Sequence, residues 1–198
     1  MLNTLSKQWF QQMTGMWHQH DIKRKTFIRI IVHLVSTLGS MSHIYHSGYG
    51  YSKIICEDVT FWFLNNFFPR HKITVDILHR GLKGEQVIGY CDVVGHNYRP
   101  RHFMIELQTD MSREMYIKTL LHELTHLKQW VEGSLRFRSG KLCYSTEPVE
   151  NWKYEHQPHE IEARKEELRL YDWYMSDTFG MTDGKVAQEA FSNHLRGV

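Results

Sequence analysis

The clearest apolar period along the chain falls between residues 112 and 132. There Leu120, Leu121, Leu124, Leu127 and Val131 recur at helical spacing and leave His122 and His126 on a different side. Thr109, Asp110 and Ser112 offer N-cap oxygens, Glu114 suits the positive end of the helix dipole, and Gly133 supplies a stop. One helix is therefore predicted over residues 112–132. Another is predicted over 57–67, burying Phe61, Leu64 and Phe68 and halted by Pro69. Three segments between them, 72–78, 87–94 and 102–108, read as strands, separated by the Gly-rich stretch 80–84 and by Gly95-His96-Asn97 with Pro100. In the third, Phe103, Ile105 and Leu107 alternate with His102, Met104, Glu106 and Gln108, as in a sheet with one face on the core. The close spacing of the three favours antiparallel pairing.

The flanks carry weaker patterns. Residues 1–53 combine a polar start, an apolar segment at 27–38 and a Gly/Tyr tract near Gly48-Tyr49-Gly50, and are read as an extension packed on a domain spanning 54–198. Residues 133–157 lack a clean period and are expected to form a mostly irregular connection of the length that often serves function. Pro158 suits a first helical position, and the Lys, Glu, Arg and Leu residues after it favour a further helix. A closing helix is expected at 182–195, with Val186, Ala190 and Leu195 as its apolar contacts. The class predicted is α+β.

Composition narrows the range of functions. A chain of 198 residues with 41% hydrophobic and 13% aromatic residues can bury a generous single core. A formal charge of +2 does not call for a nucleic-acid or membrane partner, and the clusters Lys23-Arg24-Lys25 and Arg99-Pro100-Arg101 read as solvated turns. Cys56, Cys91 and Cys143 have neither disulfide-framework nor zinc-ribbon spacing and are read as free thiols. The first twenty residues lack a compact apolar run ahead of a cleavage site, and Arg29 and His33 interrupt the apolar segment that follows. A cytoplasmic protein is expected.

Candidate chemistry lies on the predicted central helix. His122-Glu123-Leu124-Thr125-His126 places two imidazoles one turn apart on one face, able to grip one metal ion, with Glu123 beside them to take a proton from a water at that metal. A catalytic zinc site typically has three protein ligands. A histidine six residues on is not available, because Gln129 and Glu132 stand where H-E-x-x-H-x-x-G-x-x-H has its glycine and last histidine. The better source is Pro158-His159-Glu160-Ile161-Glu162-Ala163, with Glu160 and Glu162 as candidates and His156 and His159 ranked below them.

These motifs resemble the zincin metallopeptidases of the glutamate type, in which H-E-x-x-H is followed by a second helix donating a glutamate. The nearest likeness is to small phage and bacterial metallopeptidases, SprT-like or gluzincin-like, with a strand, H-E-x-x-H and then a Pro-x-Glu-Ile-Glu-Ala helix. It covers roughly residues 54–175. Several such families carry the third ligand as the first residue of E-x-x-A, which implies Glu160, with Zn2+ as the metal and His122 and His126 as the other ligands. The implied fold is zincin-like: a small, mainly antiparallel sheet packed on the H-E-x-x-H helix and the glutamate helix. The implied activity is hydrolysis of peptide bonds in a protein or peptide substrate, with Glu123 as general base; a phage-encoded member would act in the host cytoplasm. Arg164 departs from the pattern, since related families often place there an acidic residue that orients a ligand histidine. Glu162, Glu166 and Glu167 are the substitutes on offer. By the same likeness the strand at 102–108 is expected to flank the cleft, and because an extended peptide can add to an exposed sheet edge it is expected to pair with substrate backbone. Tyr144, Trp152, Tyr154 or His156 of the connection at 133–157 are expected to border the cleft. The rival reading is a non-catalytic zinc-binding structural or nucleic-acid-binding module whose fourth position is closed by His156 or His159.

Overall fold

The computed structural model describes residues 42–95 and 98–179; the apolar segment at 27–38 and the closing helix expected at 182–195 lie outside the described residues. In chain order the elements are β1 (His43–Gly48), α1 (Lys53–Phe67), β2 (Thr74–Arg80), β3 (Gly89–Val93), β4 (His102–Gln108), α2 (Arg113–Glu132), β5 (Leu135–Arg138), β6 (Lys141–Tyr144), β7 (Glu147–Pro148) and α3 (Pro158–Phe179). The class is α+β, as the sequence predicts. No helix among the described residues is long and apolar enough to cross a membrane.

The main sheet has the order β1-β2-β4-β3. Its strands depart from the mainly antiparallel expectation: β1 runs parallel to β2 and β2 parallel to β4, and β3 alone is antiparallel to its neighbour β4. Spacing limits which strands can be neighbours, whereas burial selects the order. Phe103, Ile105 and Leu107 of β4 are wholly buried and β3 has no buried residue, so β4 takes the interior position and β3 the edge. β1 belongs to the segment read as an extension, so the sheet begins earlier in the chain than that reading placed it.

The core forms where the inward faces of β2 and β4 meet α1 and α2. Val75 and Ile77 sit in register with Phe103 and Ile105, under Val59, Phe63 and Leu64 of α1 and Ile117, Leu120, Leu121 and Leu124 of α2. The third inward residue of β2, His79, is also buried. Its Nδ1 donates to the carbonyl of Ser47 at 2.9 Å and its Nε2 accepts from the Tyr116 hydroxyl at 2.9 Å. Tyr51 stacks on the ring with centroids 3.4 Å apart. This neutral histidine ties β1, β2 and the first turns of α2 together.

Helix α2 has the bounds its caps predict. The Ser112 side chain accepts from the Met115 amide, and Gly133, at φ 81°, returns its amide to the carbonyls of Gln129 and Trp130. The segment after it is more ordered than expected. β5, β6 and β7 form a three-stranded antiparallel sheet, with Ser139 and Gly140 at φ 49° and 80° closing the first hairpin. Two residues at positive φ are the mark of a tight hairpin turn whose twist matches its strands. Strands of four residues are too short to show a period, which is why the segment reads as irregular from sequence.

Candidate metal centre

α2 and α3 bring the predicted ligands together. His122 and His126 project from successive turns of α2, their ring centroids 4.9 Å apart. Glu160 enters from the first turn of α3, with Oε2 3.5 Å from His122 Nε2 and Oε1 3.4 Å from His126 Nε2. One ligand atom from each of the three lies within 4.8 Å of the others, a group able to hold a metal ion. His126 and Glu160 are buried and His122 partly so.

Hydrogen bonds behind the rings fix which nitrogen faces inward. His122 Nδ1 lies 3.1 Å from Glu167 Oε2, and His126 Nδ1 lies 2.8 Å from Gln129 Oε1. Both partners accept, so each Nδ1 carries a proton and Nε2 is the nitrogen that faces Glu160, able to serve as a ligand atom when a metal ion takes the place of its proton. Glu160 Oε2 is buried and has no hydrogen-bond partner. Two imidazole Nε2 atoms and a carboxylate thus converge at a spot that favours a cation, whether a proton or a metal ion. The electrostatics agree: burial alone would raise the Glu160 carboxyl, yet His122 and His126 hold it well below the usual carboxylate range. Burial pulls His122 down, but Glu160 and Glu167 outweigh it and leave the imidazole at about 9. The mixed nitrogen and oxygen donor set, with an orphaned carboxylate oxygen and both rings oriented from behind, fits a group that could hold a metal ion.

Glu162, the other candidate for third ligand, points elsewhere. Its Oε2 accepts from the Tyr144 hydroxyl at 2.7 Å and from Gln129 Nε2 at 2.8 Å, so it anchors the residue that orients His126. Gln129 Nε2 also donates to the His159 carbonyl at 3.0 Å. The substitutes for the acidic residue missing at Arg164 divide accordingly. Glu167 holds His122, Glu162 holds Gln129, and Glu166 is bonded to Arg169 at 2.6 Å and takes no part. Gln129 is not among the supports expected from the sequence, although its i+3 spacing from His126 puts it on the same face of α2.

Glu123 is buried and meets the sheet at Gly89 of β3, where a Cβ would lie 2.5 Å from Glu123 Oε1. Burial raises this carboxyl to about 7 against the opposing pull of His126 and His122. β3 is therefore the strand beside the site. The expectation that residues 102–108 pair with substrate is overturned, because β4 is bonded on both edges, by β2 and by β3.

Of the expected border residues, Tyr144 is bound to Glu162, Trp152 is half-buried and His156 is exposed. Tyr154 is exposed, and its hydroxyl is raised to about 12, chiefly by burial of that group and then by the charge of Glu160. His159 is buried beside His126, with ring centroids 5.6 Å apart, and burial lowers its pKa to about 4. No protein-family model, curated protein or solved structure matches this chain.

Proposed function

We propose that the chain is a zinc-dependent metallopeptidase of the glutamate zincin type, hydrolysing peptide bonds. The observation that carries this reading is the convergence of His122, His126 and Glu160 on one point with Glu123 beside it and not among the ligand atoms. His122, His126 and Glu160 would hold the ion, and zinc when bound makes a water more acidic and polarises the scissile carbonyl. The remaining chemistry belongs to the chain. Glu167 and Gln129 keep both Nε2 atoms aimed inward, so that the ligands need no reorientation. Glu123, with a pKa raised toward neutrality, takes the proton of the attacking water and delivers it to the leaving amine. Tyr154 is exposed and feels the charge of Glu160, and from there its hydroxyl can donate to the developing oxyanion. The outer edge of β3 carries no strand among the described residues and offers backbone groups to an extended peptide.

A non-catalytic metal site is the second reading, favoured by His159, whose buried Nδ1 has no hydrogen-bond partner and whose Nε2 lies 3.8 Å from Glu160 Oε1. Closure of the fourth position by this ring would make the ion structural. Glu123→Gln separates the two readings, since it keeps size and helix compatibility and removes the base. Expected are full zinc content and an unchanged fold, with cleavage of a denatured-protein or peptide library reduced by about 10²-fold or more. His122→Ala should lose zinc and cleavage together. Cleavage by Glu123→Gln at the wild-type rate would overturn the mechanism.

A further inference from the structure

Arg164 lies one turn beyond Glu160 on α3, at the lip of the metal centre. Its Nη2 is 3.8 Å from Glu160 Oε2, outside hydrogen-bond range. Nη1 donates to the Glu155 carbonyl at 3.2 Å, and the guanidinium stands 5.6 Å from the centre of the Tyr154 ring. The side chain is 43% exposed. It is thus held on two sides with part of its donor fork directed at the site and open to solvent. Orienting the ligand histidines is already the task of Glu167 and Gln129, so Arg164 is not needed for it. Nor is Glu160 a committed partner, since its carboxylate faces both histidines.

A planar guanidinium with free donors matches a carboxylate, which it can bind through two parallel bonds. We infer that Arg164 is a specificity-determining residue that selects substrates bearing a carboxylate next to the scissile bond. The inference rests on the metallopeptidase reading. The carboxylate could be an Asp or Glu side chain, or the C-terminal carboxylate of a peptide. Either would be drawn to the guanidinium, which the Tyr154 ring and the Glu155 carbonyl hold in place.

The test uses peptide hydroxamates, which chelate zinc and so fix the register of the residues after them. One pair differs only in a glutamyl against a glutaminyl side chain, the other in a free C-terminal carboxylate against its amide. Affinities are measured by competition calorimetry on the zinc-loaded wild type and on Arg164→Gln, with zinc content determined for both. In at least one pair the acid is expected to bind about tenfold or more tighter than its amide, as hydrogen bonds to charged groups typically provide. Arg164→Gln should erase that ratio and leave zinc content and amide affinity unchanged, while Arg164→Lys, which keeps charge without the planar fork, should retain part of it. Which pair shows the ratio identifies the source of the carboxylate. Equal affinities within both pairs, or a ratio that survives Arg164→Gln, would overturn the inference while leaving the metallopeptidase reading in place. Failure of the wild type to bind zinc, or of the zinc-loaded wild type to bind any hydroxamate, would overturn both.

Discussion

Gly89→Ala adds one methyl group opposite the proposed base. The backbone at Gly89 lies outside the left-handed region, so alanine is not strained there, and an added Cβ in a strand slightly favours the folded chain. The new atom would lie 2.5 Å from Glu123 Oε1 and 3.0 Å from both Cδ and Cγ. Ordinary contact requires the carboxylate to retreat by about 1 Å, a misplacement that can cost about 10²-fold in rate when a reacting group is involved. That loss corresponds to about 2.7 kcal/mol of transition-state stabilisation. The ligands are untouched, so zinc content should hold at the wild-type level and the effect should fall on kcat. The assay is steady-state cleavage of a fluorogenic peptide library, with zinc measured by elemental analysis. If Gly89→Ala turns over as fast as wild type, the position of Glu123 against β3 does not set its catalytic geometry.

Two further expectations concern the ligands and the core. In metal titrations, Glu160→Ala should lose most zinc binding, Glu162→Ala should retain the ligands, and Glu167→Ala should weaken affinity by about 10- to 100-fold through His122; a reversed order for Glu160 and Glu162 would reassign the third ligand. His79 has its pKa lowered, chiefly by burial. Its contribution to stability is therefore fully present above the unfolded pKa of about 6.5 and is lost as pH falls below it toward the folded value. The stability gap between wild type and His79→Gln, from urea midpoints, should narrow from pH 7.5 to pH 5.5, and a constant gap would show that His79 is not held neutral.

The parts of this fold that the sequence displays are those where one residue decides the outcome. Ser112 and Gly133 set the ends of α2, and the alternation of Phe103, Ile105 and Leu107 located β4 to the residue. The metal group was equally legible, because His122 and His126 are one turn apart by helix geometry alone. Strand order was not, since it depends on competition between strands for burial, and the period of β4 says nothing about what lies on either side of it. β1 hid because its edge position lets His43, Tyr45 and Ser47 stay exposed. The hairpin of β5 and β6 was announced only by Ser139-Gly140, whose two positive φ values are a demand of the turn. Gly89 left no sequence signal, because its role exists only once β3 lies against α2.

The supports of the metal centre are interleaved across the helix pair. α3 supplies Glu167 to a histidine of α2, and Glu162 of α3 holds Gln129 of α2, which in turn holds the other histidine. Neither helix carries a competent half-site, so docking of α3 and assembly of the ligand set are one thermodynamic event. An ion that binds only the docked pair stabilises it by RT ln(1 + [L]/Kd), about 2.7 kcal/mol at a hundredfold excess over Kd. The linkage also runs in reverse: a substitution far along α3 that loosens its packing at Leu170 or Tyr174, both fully buried, would register as weaker metal affinity without touching a ligand. In such a chain, free metal ion concentration and the integrity of a distant hydrophobic seam report on the same equilibrium.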